Sequence, residues 1–324
     1  MKILITGGAG YIGSKLCELL SKRIDVEKIY SFDNLYYKQG HLAYPLNRGN
    51  KKVEFYAWDV LEKSDELAKA LDESDIIIPL AAIVGAPACD KIAPYATAIN
   101  LVWIERIASS LKEGQLIIYP NTNSGYGTTG EGVCTEETPS NPISLYGKLK
   151  QEAENVLLDI ATTQSICFRL ATVFGWSYRP RIDLLVNNLT YEAVFNRTLE
   201  VFDGHFRRNY IHIDDICRAF LFAINNAAQM VGNVYNLGND NVNMTKRELV
   251  DTIASITGCS VTENINKTDP DKRDYLVSSQ KLYDLGFYPT KSLEDGVHEM
   301  IEFYSYLPRE KELREKATSS MFNY

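Results

Sequence analysis

The feature that most limits what this chain can become is its opening: Lys2-Ile3-Leu4-Ile5-Thr6 reads as a short buried strand, and Gly7-Gly8-Ala9-Gly10-Tyr11-Ile12-Gly13 follows it directly. A Gly-x-x-Gly-x-x-Gly turn between a strand and a helix lets backbone N–H groups and the helix N-terminus approach a pyrophosphate closely. Glycines in this spacing also make plain turns, so the pattern alone decides little. Its context adds weight. Asp33 falls twenty residues after Gly13, at the end of a second apolar run. A carboxylate there accepts both hydroxyls of an adenosine ribose and repels a 2′-phosphate, which favours NAD over NADP. Asp59 closes a third run and is placed to meet an adenine, although a surface-turn aspartate reads the same way. Leu80-Ala81-Ala82 ends a fourth with small residues that let the backbone pass beside a cofactor.

Short apolar runs continue to alternate with helix-length segments through the first half, the pattern of a parallel sheet covered on both faces. Strands are predicted over Lys2–Thr6, Lys28–Asp33, Val53–Trp58, Asp75–Leu80, Leu116–Pro120 and Ser165–Leu170, with helices near Ile12–Lys22, Asp65–Leu71, Ala96–Leu111 and Tyr146–Ala161. The expected fold class is therefore α/β, a doubly wound parallel (Rossmann) sheet over residues 1–171. After Leu170 the rhythm becomes uneven, and residues 172–324 are expected to form mainly a smaller substrate-binding α/β lobe. The chain returns to the sheet within residues 209–238, where Val234–Leu237 again resembles a buried strand. The charge-rich tail after Pro308 reads as loose.

Composition excludes several classes. A formal net charge of −8, with no run of Lys or Arg interleaved with aromatics, leaves no electrostatic footprint for nucleic acid. Anionic ligands must then be met by local arginines. The six cysteines lie far apart, with no Cys-x-x-Cys pair and no histidine at zinc-ligand spacing, which predicts reduced thiols and no metal centre. No stretch approaches a membrane span, and the first residues enter a strand without an apolar leader, so a cytoplasmic protein is expected.

Tyr146-Gly147-Lys148-Leu149-Lys150 puts a phenol and an amine four residues apart, on one helical face. Alone this is a common helical pair. Hydride removal from an alcohol, however, needs a base for the hydroxyl proton, and a tyrosine with a pKa near 10 is a poor one at neutral pH. A cation one turn away, together with an oxidised nicotinamide, lowers that pKa. Upstream, Tyr119-Pro120-Asn121-Thr122-Asn123-Ser124-Gly125-Tyr126-Gly127 delivers hydroxyls to the carboxyl edge of the sheet, where doubly wound folds bind ligands.

With these segments in hand, the chain resembles an extended short-chain dehydrogenase/reductase of the NAD-dependent nucleotide-sugar epimerase/dehydratase family. The similarity runs through Thr6–Gly13, Asp33-Asn34-Leu35, Leu80-Ala81-Ala82, Asn100, Thr122–Gly127, Tyr146–Lys150, Arg169–Gly175 and Arg208–Asp215. It implies a catalytic Thr122, Tyr146 and Lys150. The cofactor site it implies comprises Gly7, Gly10, Tyr11, Ile12, Asp33, Asn34, Asp59, Val60, Leu80, Ala81, Ala82 and Asn100, with Tyr146 and Lys150. It implies a nucleotide-diphosphate sugar as substrate, held by Arg208 and Arg273, with Thr122, Asn123, Ser124, Asn187 and Asn188 around the sugar and diphosphate; Thr172 stands where relatives often carry Asn, and Arg181, with Arg179 in the same loop, reads either as added charge near the sugar or as a solvated loop residue. Arg273 lies within Asp271-Lys272-Arg273-Asp274-Tyr275, and surface arginines with acidic neighbours are its bland alternative. A homodimer built on the helices near Ala96–Leu111 and Tyr146–Ala161 is also implied.

Departures from the family pattern narrow the reaction. Family 4,6-dehydratases carry acidic side chains just after the catalytic threonine, because eliminating water needs an acid and a base, whereas Asn123 and Ser124 stand there in this chain. What remains is oxidation at one sugar carbon, C4 in most relatives, followed by hydride return to the opposite face or by release: 4-epimerase or net dehydrogenase. The Asn-, Ile-, Lys- and Tyr-rich composition resembles bacterial surface-polysaccharide members, including the heptose-modifying branch. A non-catalytic NAD-sensing module is the alternative from another class, and the presence of a full Thr, Tyr and Lys set speaks against it.

Overall fold

The computed structural model describes residues 1–42, 51–160, 164–268 and 273–321. Ala161, Asp271 and Lys272, named above, lie outside the described residues. In chain order the main elements are β1 (Lys2–Thr6), α1 (Tyr11–Ser21), β2 (Lys28–Asp33), β3 (Val53–Ala57), α2 (Asp65–Glu73), β4 (Ile76–Pro79), α3 (Trp103–Ser110), β5 (Leu116–Thr122) and β6 (Thr128–Cys134). There follow α4 (Leu145–Ile160), β7 (Ser165–Leu170), β8 (Thr172–Phe174), α5 (Leu185–Phe195), β9 (Thr198–Val201), β10 (Arg207–His212), α6 (Ile213–Asn225), β11 (Asn233–Leu237) and β12 (Asn239–Thr245). The chain then forms α7 (Lys246–Thr257), β13 (Ser260–Glu263), β14 (Asp274–Val277), α8 (Leu293–Ser305) and α9 (Lys311–Thr318).

Seven parallel strands make the main sheet, in the order β11-β7-β5-β4-β1-β2-β3. The order reverses beside β1, and such a switch point opens a ligand crevice at the carboxyl ends of the strands. Buried on both faces, β1, β4 and β7 read as continuous apolar runs rather than alternating ones. One apolar cluster packs α1 and α6 against one face; the other packs α2, α3 and α4 against the opposite face. The lobe is built on a three-stranded sheet, β12-β10-β8, covered by α5, α7 and α8.

Two chain crossings stitch lobe to sheet side by side. Ala171 links β7 to β8, Gly238 links β11 to β12, and the Ala171 N–H donates to the Leu237 carbonyl at 2.9 Å. At Gly238 a Cβ would fall 1.6 Å from Oδ1 of Asn209 in β10, so a larger residue there has to displace that buried amide.

The helix predicted over Ala96–Leu111 is interrupted by a π-helical turn, Ala98–Val102. That wider turn carries Asn100, whose amide takes both the N–H and the C=O of Ile83 at 2.9 Å. Up to Met321, the last described residue, the tail is anchored. Its helix α9 docks on the lobe through Arg314, which is 6% exposed.

A buried network fixes α4 against the sheet. Arg169 of β7 binds Glu154 of α4 through Nη2 at 2.7 Å and Nε at 3.2 Å, and Asn121 of β5 donates to the same carboxylate at 2.6 Å. Gln151 adds a bond at 2.9 Å, and Arg169 Nη1 donates to the Tyr126 hydroxyl at 3.0 Å. With the Glu154 and Arg169 side chains 1% and 9% exposed, both charges depend on each other for solvation. Glu154→Gln should therefore lower unfolding stability by about 3–5 kcal/mol in urea titrations. A loss below about 1 kcal/mol would mean the charge is not uniquely compensated by this pair.

Candidate active site

The carboxyl ends of the strands and the lobe enclose one continuous cleft of about 850 Å³. Its floor is the glycine turn. Gly7 has φ +75°, and a Cβ there would stand 2.7 Å from the Ala81 nitrogen, so the turn closes against the end of β4 only with glycine. Of the residues expected to hold the dinucleotide, all but Asn100 line the cleft. Asn100 instead braces Ile83 from behind.

Asp33 accepts hydrogen bonds from the N–H groups of Ala9 and Leu35, at 3.1 and 2.8 Å, and from the Gln39 amide at 3.2 Å. Burial pushes its carboxyl above the usual range, while the two backbone bonds and the nearby Arg179 pull it back. Beside it the Gln39 Oε1 is buried with no hydrogen-bond partner among the described residues, an acceptor that a ribose hydroxyl would satisfy. Further along, Tyr95 donates to Asp59 at 2.5 Å, and Asn34 donates to both at 2.9 Å. Tyr36 stacks on Tyr95 with ring centroids 6.4 Å apart, giving the outer cleft an aromatic wall that suits a flat base. Gln39 and Tyr36 sit in an irregular segment and Tyr95 in a five-residue helix, Ala93–Thr97, where no periodicity or spacing marks them.

Thr122, Tyr146 and Lys150 all reach this cleft. β5 ends in Thr122, whose hydroxyl accepts the Ser124 N–H at 3.1 Å and donates to the Ser124 hydroxyl at 3.0 Å. The Arg273 guanidinium also donates to Ser124 Oγ. With both lone pairs so used, the Ser124 hydrogen is left to point elsewhere, and Ser124 lines the cleft. Asn123 does not line it; its amide is buried with neither atom partnered among the described residues.

Burial pushes the Tyr146 phenol well above the ordinary range, with the Cys89 thiol acting in the same direction and the Arg181 and Arg273 cations opposing. Burial also brings Lys150 down to about 7 against the opposing pull of Cys167, Glu154 and Cys89. Its ammonium lies 4.0 Å from the Tyr119 ring centroid. The cations that oppose the rise of Tyr146 are thus two arginines from the lobe side, which the Tyr-x-x-x-Lys spacing did not disclose.

Alternation along β10 separates two neighbouring arginines. Arg207 is neutralised by a two-pronged bond to Asp274 at 2.9 Å, whereas Arg208 lines the cleft beside the Tyr275 ring. Arg181, Arg273 and Thr172 line it as well. Asn187 does not: fully buried, it accepts the Gly175 N–H at 3.0 Å and donates to the Arg181 carbonyl at 2.9 Å. Asn188, one residue on, is half-buried and also lies outside the lining.

A sequence model described as the NAD dependent epimerase/dehydratase family matches residues 3–238. The chain belongs to that family. An uncharacterized UDP-glucose epimerase of Bacillus subtilis is 28% identical over 95% of this chain and 99% of its own length. A dTDP-D-glucose 4,6-dehydratase of Dictyostelium discoideum is 30% identical over 74% of this chain and 58% of its own. Among solved structures, a UDP-glucuronic acid 4-epimerase from Bacillus cereus, bound to NAD and UDP-4-deoxy-4-fluoro-glucuronic acid, superposes with a TM-score of 0.84 at 26% identity. It covers 94% of this chain and 99% of its own. For this epimerase/dehydratase family member the cofactor is NAD, and the glycine turn, Asp33 and the orphaned Gln39 oxygen fit it. Among the described residues no helix is long and apolar enough to cross a membrane.

The state of Lys150 leads to a pH test. Its amine titrates near 7 when folded and near its ordinary 10.5 when unfolded, so between these values the unfolded chain binds more protons. NAD-free protein should gain stability as pH rises from about 7 to about 10 by this contribution. Denaturant titrations of the parent and of Lys150→Met across that range should show the gain shrinking in the variant. Parallel curves would place the amine in a more solvated setting.

Proposed function

We propose that this protein is a nucleotide-diphosphate-sugar 4-epimerase. The observation that carries the reading is the turn after β5: Thr122 and Ser124 present hydroxyls to the cleft beside Tyr146, and no carboxyl group occupies the turn Asn123–Tyr126. Elimination of water from the sugar needs an acid and a base there, whereas reversible oxidation of one hydroxyl needs a single proton carrier.

Bound NAD supplies the acceptor and later the donor of hydride. Tyr146 takes the proton from the sugar hydroxyl and returns it. Arg181 and Arg273 favour the ionised phenol during that exchange, and Lys150 holds the nicotinamide ribose. Thr122 and Ser124 orient the reacting oxygen, with Arg273 fixing the Ser124 rotamer. Arg208 and Arg273 meet the diphosphate with paired N–H donors. UDP sugars are the first candidates, because the similar proteins described as epimerases act on them. Inversion follows if the oxidised sugar turns over in the cleft before hydride returns.

Purified protein incubated with UDP-glucose, UDP-galactose, UDP-glucuronic acid and dTDP-glucose should invert C4 of at least one of them, seen by NMR, without accumulating NADH absorbance. Tyr146→Phe should lower kcat by about 10²–10⁴ while NAD binding is retained. Stoichiometric NADH would instead assign a dehydrogenase, and a 4-keto-6-deoxy product a dehydratase.

A further inference from the structure

The loop between β8 and α5 carries Arg179 and Arg181 along the lobe side of the cleft. The Arg179 guanidinium lies 4.5 Å from the Tyr37 ring centroid and acts on Asp33, at the ribose end of the cofactor site. Arg181, bonded to Asp183 at 2.7 Å, acts on Tyr146 at the reacting end. The loop therefore spans the NAD cleft. On one side it is tied to α1: the Tyr11 hydroxyl donates to the Gly175 carbonyl at 2.7 Å, and the Ser177 hydroxyl donates to the Tyr11 carbonyl at 2.5 Å. The Trp176 N–H goes to Glu299 of α8 at 3.1 Å.

Its rear is held by the tail. Ile182 is fully buried, and its N–H donates at 2.9 Å to the carbonyl of Met321, just beyond α9. A single eight-residue helix has little stability of its own, so what docks α9 decides where Met321 sits. The docking group is Arg314. Its Nε donates to the Tyr191 hydroxyl at 2.8 Å, its guanidinium lies 4.0 Å from the Phe195 ring centroid, and its Nη1 donates to the Arg309 carbonyl at 2.8 Å. Tyr191 and Phe195 both belong to α5, the helix that the loop enters.

We propose that Arg314 is a positioning residue for the cofactor: by docking α9 it sets the Met321 carbonyl behind Ile182 and so holds the Arg179–Arg181 loop along the NAD cleft. Without that carbonyl, a buried N–H is left unpaired in the middle of the loop, and the loop relaxes to satisfy it. The inference rests on NAD binding and not on the reaction proposed above.

The test uses full-length Arg314→Ala, Arg314→Lys and Met321→Gly, read by calorimetric NAD affinity and by hydrogen exchange. In Arg314→Ala the segment 176–184 should lose protection and the Kd for NAD should rise about tenfold, while exchange in segment 7–13 stays as in the parent. Arg314→Lys, which keeps the charge and the aliphatic stem, should recover part of that affinity. Met321→Gly, which retains Arg314 but removes the side chain packed against Ile182, Tyr191 and Tyr304 that seats the carbonyl, should raise the Kd in the same direction by a smaller factor and stands in if Arg314→Ala does not fold. Unchanged NAD affinity in a folded Arg314→Ala, or in Met321→Gly where Arg314→Ala is unfolded, would overturn the proposal. So would loss of NAD affinity with the 176–184 segment still protected.

Discussion

The buried pairing of Glu154 with Arg169 is the constraint on which the catalytic geometry rests. Its members come from α4, β5, β7 and the turn containing Tyr126, and each of those segments also delivers or neighbours a reacting group. Asn121 precedes Thr122. Lys150 stands one helical turn before Glu154, and Tyr146 one turn before that. A buried carboxylate that takes bonds from Arg169, Asn121 and Gln151 at once tolerates little displacement. The phenol, the amine and the threonine hydroxyl are thereby held in register by a bond that touches no ligand.

The electrostatics of the cleft follow from the same burial. Removing Tyr146 and Lys150 from water favours the neutral form of each, which is the wrong state for proton abstraction. Positive charge must be brought to the phenol from elsewhere, and the lobe contributes it through Arg181 and Arg273. The lobe therefore acts on the reacting proton as well as on the ligand. Such an arrangement makes the state of the base depend on residues that the lobe positions.

Much of this was legible in the sequence wherever local pattern and tertiary environment agree. The predicted strands recur with shifts of at most two residues, because apolar runs flanked by turns have few other uses in an alternating chain. The glycine turn and Asp33 carried the cofactor, since only a few residue types serve a close pyrophosphate and a ribose. What stayed hidden depends on partners distant in the chain. The π turn at Asn100 exists for Ile83, and the Gln39 oxygen matters only through its place beside Asp33. Charge density made the tail look unanchored, yet one buried arginine holds it; a guanidinium can serve as a core residue when aromatic faces and carbonyls surround it.

The two crossings at Ala171 and Gly238 limit how much sequence change the junction of sheet and lobe can absorb. At the second of them the buried Asn209 amide of β10 fills the space that a methyl on Gly238 would need. A substitution at Gly238 therefore acts on both layers at once, because the crossing leaves the main sheet while the amide it would displace belongs to the lobe sheet.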